Sequence, residues 1–116
     1  MAFGATRDGT RAREFYEKTL GLALISEDNF ALVLDANGTM LRLQKVETFT
    51  PSPFTALGWE VSNIRAAVSE LSSRGVSFQK YPWMDQDELG IWSSPGGARV
   101  AWFRDPDGNT LSLTEF

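Results

Sequence analysis

The sequence predicts an α+β domain in which one strand-helix-strands unit is written twice. Two observations carry this. Ala12, Phe15, Tyr16 and Leu20 recur at helical spacing after the cap residue Asp8 and before Gly21, and Ile64, Ala67, Val68 and Leu71 do so between Asn63 and Gly75. Arg11-Ala12 then aligns with Arg65-Ala66, and Gly21-Leu22 with Gly75-Val76, at one constant offset. Second, each helix follows a short strand candidate and precedes β-rich segments that run through a glycine turn, Asn37-Gly38 in the first copy and Asp107-Gly108 in the second.

The elements follow in order. "AFGAT" is the first strand candidate and "LALIS", "FALVL" and "TMLRLQKV" follow the first helix; "TALGWEV" opens the second copy, and "VSFQK", "GIW", "RVAWF" and "TLSLTEF" follow its helix. The first module covers about 1–46 and the second about 54–116, all in a single domain. The second copy is longer, and its surplus falls around "YPWMDQDELGIWSSPGGA", a length of loop that is usually functional or disordered. "NGT" at Asn37 reads better as a hairpin turn than as a glycosylation acceptor.

Composition narrows the chemistry. With 116 residues, 42% hydrophobic and 22% charged, the chain suits one ordinary soluble domain, and no apolar run reaches membrane-helix length. The N-terminal residues lack a secretory pattern, so a cytoplasmic location is expected. Fifteen acidic against eleven basic residues give a net charge of −4 without a basic cluster, which argues against nucleic acid as a partner. Cysteine and histidine are both absent. That removes disulfides, thiol nucleophiles, Ser-His-Asp triads and the commonest transition-metal ligand. "DQDELG" fails as a calcium loop because Leu89 and Gly96 occupy ligand positions, and no "GxxxxGK[ST]" or "GxGxxG" occurs.

The duplicated unit, together with "RAREFYEKTLGL" near the start and "FRDPDGNTLSL" near the end, resembles the vicinal oxygen chelate superfamily. That group holds glyoxalase I, extradiol dioxygenases, fosfomycin resistance enzymes and bleomycin resistance proteins. The resemblance implies two tandem βαβββ modules, curved mixed sheets around a concave pocket, and commonly a homodimer; it does not imply a reaction. In metal-dependent members the ligand positions correspond here to Met1, Ala56, Arg42 and Ser112. None offers the histidine or acidic ligand expected there, and Arg42 sets a fixed positive charge where a cation would sit. No cofactor is therefore expected, and a divalent metal is disfavoured.

Strand alternation sorts the remaining residues. Leu41 and Leu43, Leu57 with Trp59 and Val61, and Leu111 with Leu113 form the apolar set expected under the helices. The opposite set is Met40, Arg42 and Gln44; Ala56, Gly58 and Glu60; Thr110, Ser112 and Thr114. A solvated sheet face would alternate in the same way, but the concave face implied by the resemblance points to a ligand pocket. Arg42 is the candidate anchor for an anionic or carbonyl oxygen and Glu60 the candidate general base; the alternative is a structural Arg42-Glu60 salt bridge. Of the four tryptophans, Trp92 and Trp102 are expected on the ligand side and Trp59 in the core. The candidate binding residues are thus Met40, Arg42, Gln44, Ala56, Glu60, Trp92, Trp102 and Ser112.

Two functions fit. One is a metal-independent protein that sequesters a small molecule, similar in logic to the bleomycin resistance proteins. The other is a lyase, isomerase or oxygenase of the glyoxalase or dioxygenase type acting on a small carbonyl or aromatic substrate. The acidic net charge favours cationic ligands at long range while Arg42 favours an anionic group locally.

Overall fold

The computed structural model describes residues 2–36, 38–48 and 55–116; Met1 and Asn37, named above as a ligand position and a turn residue, lie outside them. The chain divides into two compact units, Met1–Ser52 with Asp105–Gly108, and Pro53–Arg104 with Asn109–Phe116.

Unit one contains β1 (Ala2–Thr6), α1 (Gly9–Arg13) continued by a π-helical segment (Glu14–Thr19), β2 (Ala23–Glu27), β3 (Ala31–Ala36) and β4 (Thr39–Lys45). Its mixed sheet has the order β1-β4-β3-β2, with β1 parallel to β4 and the other pairs antiparallel. Asp8 starts the helix as expected, its side chain accepting the Arg11 N–H at 3.2 Å. The sequence predicts one regular helix to Leu20, but the last turn is widened: the Leu20 N–H donates to the Phe15 carbonyl at 2.9 Å. Gly21 then closes it at φ +78°, where a side chain would be strained, and Leu22 N–H reaches back to the Tyr16 carbonyl at 3.0 Å. Ala12, Tyr16, Leu32, Leu34, Leu41 and Leu43 are buried as this unit's core.

Unit two repeats the plan with β5 (Thr55–Glu60), α2 (Ile64–Ser73), β6 (Trp92–Ser93), β7 (Arg99–Arg104) and β8 (Thr110–Glu115), in the order β5-β8-β7-β6. Asn63 caps α2 through the Ala66 N–H at 3.1 Å, and the Glu115 side chain takes the Ile64 N–H at 2.8 Å. Ile64 and Val68 of α2 are buried with Phe103, Leu111 and Leu113, each such side chain contributing about 1.5–3 kcal/mol of burial. Trp59 stacks on Phe103 at 6.5 Å, in keeping with its expected core side.

One strand expectation is corrected. "VSFQK" forms no strand, only an isolated bridge of Phe78 to Phe103 and a 2.7 Å bond from the Gln79 N–H to the Trp102 carbonyl. The long segment after it is built by side chains instead. Gln86 accepts the Tyr81 N–H and donates to the Gln79 and Gly90 carbonyls, while Asp87 Oδ1 accepts the N–H groups of Leu89 and Ile91. Arg65 of α2 then binds Asp87 and Glu88 at 3.1 and 2.9 Å, so two of the three acidic residues of "DQDELG" hold the loop. Among the described residues no helix is long and apolar enough to cross a membrane.

The "DPDGN" turn finds its role in unit one. Tyr16, 1% exposed, donates its hydroxyl to Asp105 Oδ2 at 2.7 Å, Asp105 Oδ1 accepts the Asp107 N–H at 3.0 Å, and Asp107 Oδ1 accepts the Arg7 N–H at 2.8 Å. Burial, reinforced by the Asp105 carboxylate, pushes the Tyr16 hydroxyl far above the ordinary tyrosine range. The folded protein therefore keeps this proton where the unfolded chain releases it, so stability is full below about pH 10 and falls by about 1.4 kcal/mol per pH unit above it. Tyr16→Phe is expected to cost about 1.5–3 kcal/mol at neutral pH, the scale of a hydrogen bond to a charged group, and to remove that alkaline slope. Urea midpoints of both proteins from pH 7 to 11 check this, and equal slopes above pH 10 would contradict it.

Candidate functional site

Two-residue alternation gives each sheet one face under its helix and a second face opposite. In unit one, buried Leu41 and Leu43 alternate with exposed Met40, half-buried Arg42 and exposed Gln44. Phe3 of β1 and Val33 of β3 flank Arg42 in register, so an apolar pair frames the guanidinium's strand position. Arg42 makes no ion pair among the described residues. Backbone N–H groups of Phe30 and Ala31 hold the Asp28 carboxyl below its usual range, and the Arg42 charge adds to the effect.

In unit two, Leu111 and Leu113 turn to the helix while Thr110 and Ser112 turn away, yet those two residues are only 9% and 7% exposed. A water-washed sheet face would leave them open, so β8 does not present one. Trp102 lies opposite Ser112, and Arg104 opposite Thr110. Trp92 packs on Trp102 with ring centres 6.2 Å apart, and Tyr81 meets it edge-on at 5.9 Å. The Trp102 indole N–H donates to Thr55 Oγ1 at 3.2 Å. Trp83, by contrast, is 76% exposed and touches Tyr81.

Counting back from Gly58 puts Ala56 opposite Thr110, but β5 bulges between Thr55 and Leu57, and Thr55 takes that register position. Ala56 is the extra residue without a register partner, and Thr55 joins the candidate contacts through its bond to Trp102. Glu60 stands at the other end of β5, beside Thr114, exposed and without an ion pair among the described residues. Arg104, Thr55 and Tyr81 were absent from the residues picked by sequence; Arg104 shares the phase of Trp102, and that signal was available.

Gly58 gives its neighbour room. A Cβ there would lie 2.6 Å from Ser112 Oγ, so the serine side chain would have to turn away. A separate surface cleft of about 280 Å³ is lined by Asp85, Gln86, Asp87, Ile91, Trp92 and Ser93. It falls at the small end of ligand pockets, and its Asp87 is already committed to the loop.

The residues at the positions where metal-dependent relatives of this fold carry ligands do not suit a cation. Ala56 has no donor atom, Arg42 is itself cationic, and Ser112 brings one neutral hydroxyl. Among the described residues no three acidic, histidine or cysteine side chains come together as a ligand set.

Two mixed sheets of identical strand order, each with its own helix, define a tandem βαβββ protein of the α+β class. The chain belongs to the Glyoxalase/Bleomycin resistance protein/Dioxygenase superfamily, whose family model matches residues 4–113. A solved member of that superfamily from Sphaerobacter thermophilus is 26% identical with a TM-score of 0.76, covering 99% of this chain and 94% of its own. A glyoxalase family protein from Enterococcus faecalis is 20% identical at TM-score 0.75, with the same coverage of 99% and 94%. An integron cassette protein from the mobile metagenome of the Halifax Harbour sewage outfall is 21% identical at TM-score 0.75, covering 100% and 98%. The last two likenesses concern the fold alone. No curated protein sequence matches the chain.

The Gly58 contact is directly testable. Gly58→Ala should lower stability by about 1 kcal/mol, the cost of driving Ser112 off its rotamer. In a Ser112→Ala background the same substitution should be neutral or slightly stabilising, and a double-mutant cycle by urea denaturation measures the coupling. A cycle without coupling would mean that the two side-chain positions do not compete for space.

Proposed function

We propose that the protein binds a small molecule without a metal and acts by sequestering it. The observation that carries this reading is the second face of unit two. There Trp102, braced by Trp92 and Tyr81, stands beside the hydroxyls of Thr110 and Ser112, which engage no described residue. Aromatic surface with a few inward polar groups is the usual chemistry of a ligand site. The side chains at the positions where the resemblance implies metal ligands, a methyl at Ala56, a cationic guanidinium at Arg42 and one hydroxyl at Ser112, support the metal-free part. A homodimer belongs to the same reading, supported by the exposed Phe3 and Ile25 on the two edge strands of unit one.

A second reading rests on Glu60. A carboxylate without an ion-pair partner among the described residues, on the same strand as Gly58, is the residue that a metal-free lyase or isomerase would use as its base.

Metal analysis after dialysis and a thermal-shift screen test the proposal together. The expected result is no stoichiometric metal, and a melting point that rises with at least one small molecule, since anything bound only by the native state stabilises it. Stoichiometric zinc, nickel, manganese or iron would overturn the metal-free reading. Turnover of a stabilising compound that Glu60→Gln abolishes would replace sequestration with catalysis.

A further inference from the structure

This inference rests on the binding reading and names its ligand class. We propose that the second face of unit two takes a flat aromatic ring bearing an anionic group, the ring on Trp102 and the anion on Arg104, Thr110 and Ser112.

Register places these groups together. Trp102 and Arg104 are two residues apart on β7, hence on one face, with positions separated by about 7 Å along the strand, within reach of an arginine side chain. Across the antiparallel pair Trp102 faces Ser112 and Arg104 faces Thr110, which brings paired Cβ atoms to about 5 Å. Trp102 is fixed at its edge by the indole bond to Thr55 and steadied by Trp92 and Tyr81, so its ring plane is set before any ligand arrives.

The polar groups beside it can all donate to an anion: the guanidinium only donates, and the two hydroxyls donate or accept. Arg104 is exposed and makes no ion pair or hydrogen bond through its guanidinium among the described residues. The Thr110 and Ser112 hydroxyls have no partner there either, although both residues are more than nine-tenths buried. Every fully enclosed side-chain nitrogen or oxygen among the described residues does have a partner. The two unpaired hydroxyls are therefore recessed but still reachable, as oxygen-binding groups at the floor of a site must be. Gly58, lacking a side chain opposite Ser112, keeps that floor clear.

Charge selects the sign of the ligand. The only acidic residue on this face of β5, Glu60, lies beside Thr114, about 13 Å along β8 from the Thr110 row. On β7 and β8 the polar groups in register around Trp102 are one guanidinium and two hydroxyls, which suits a carboxylate; Asp85 lies with Trp92 in the lining of the neighbouring cleft. Arg42 is the weaker anchor, because Asp28 already feels its charge and no unpaired buried hydroxyl stands opposite it.

Calorimetric titration of the full chain with 2-naphthoate, 2-naphthamide, 2-naphthylmethylammonium and acetate tests the assignment. Naphthoate is expected to bind at least about tenfold more tightly than the neutral amide, the cation or the ringless acid. Arg104→Gln should bring naphthoate to the affinity of the amide and leave the amide unchanged, while Trp102→Leu should weaken both; Arg104 is exposed, so its variant is expected to fold, and circular dichroism confirms that it does. Equal affinity for acid and amide, preference for the cation, or loss of naphthoate binding in Arg42→Gln but not Arg104→Gln would overturn the ligand class and leave the binding reading standing. No heat from any of the four overturns this inference alone. Only the failure of the wider thermal-shift screen as well removes the binding function.

Discussion

The constraint on which the rest depends is the two-residue period of the central strands. β4 and β8 each lie between two neighbours in their own sheet, and each commits its leucines to a helix-covered core. Once Leu41 and Leu43 or Leu111 and Leu113 are buried, the residues between them have no freedom of side. Arg42 is forced onto the second face of unit one, and Thr110 and Ser112 onto that of unit two. A slip of one residue in β8 would bury two hydroxyls against Phe103 and Ile64 and strip two leucines from the core. Such an exchange costs several kcal/mol, which is why the face's composition is inherited from the core rather than set independently.

What could be read from the sequence follows from this. Elements with strong periodicity were legible: both helices, the glycine stops and the strands of "FALVL", "TMLRLQKV", "RVAWF" and "TLSLTEF" all fall where patterning places them. Departures arise where backbone geometry changes without a sequence signature. The bulge at Ala56 shifts the phase of β5 by one residue, and nothing in "TALGWEV" announces it; the register with Thr110 decides it. "VSFQK" has strand composition, but meets β7 at one bridge only. Arg104 is legible in the sequence, since it shares the alternation of Trp102 at the end of the same strand.

The acidic residues illustrate how type and role separate. Asp105 and Asp107 are nearly buried and spend their oxygens on Tyr16, Arg7 and the turn's own backbone, whereas Asp87 organises a loop and anchors Arg65. A carboxylate saturated with N–H and O–H donors has few lone pairs left for a cation. "DPDGN" and "DQDELG" look like chemistry in one dimension and act as scaffolding in three. Among the described residues, polar side chains without partners include the quieter ones, Thr110, Ser112 and Arg104.

That contrast bears on why a metal-type scaffold would carry a donor face. A carboxylate at position 112 would need a cation or several donors to offset its desolvation. Serine there is small, neutral and able to donate or accept, so the sheet packs closely without any ion bound. The Ser112 hydroxyl lies over Gly58, in the space that a side chain on that residue would take. Under the proposed assignment Trp102, held by Thr55, Trp92 and Tyr81, supplies a fixed ring and Arg104 a charge, and a ligand that stacks and carries its own negative charge would use both.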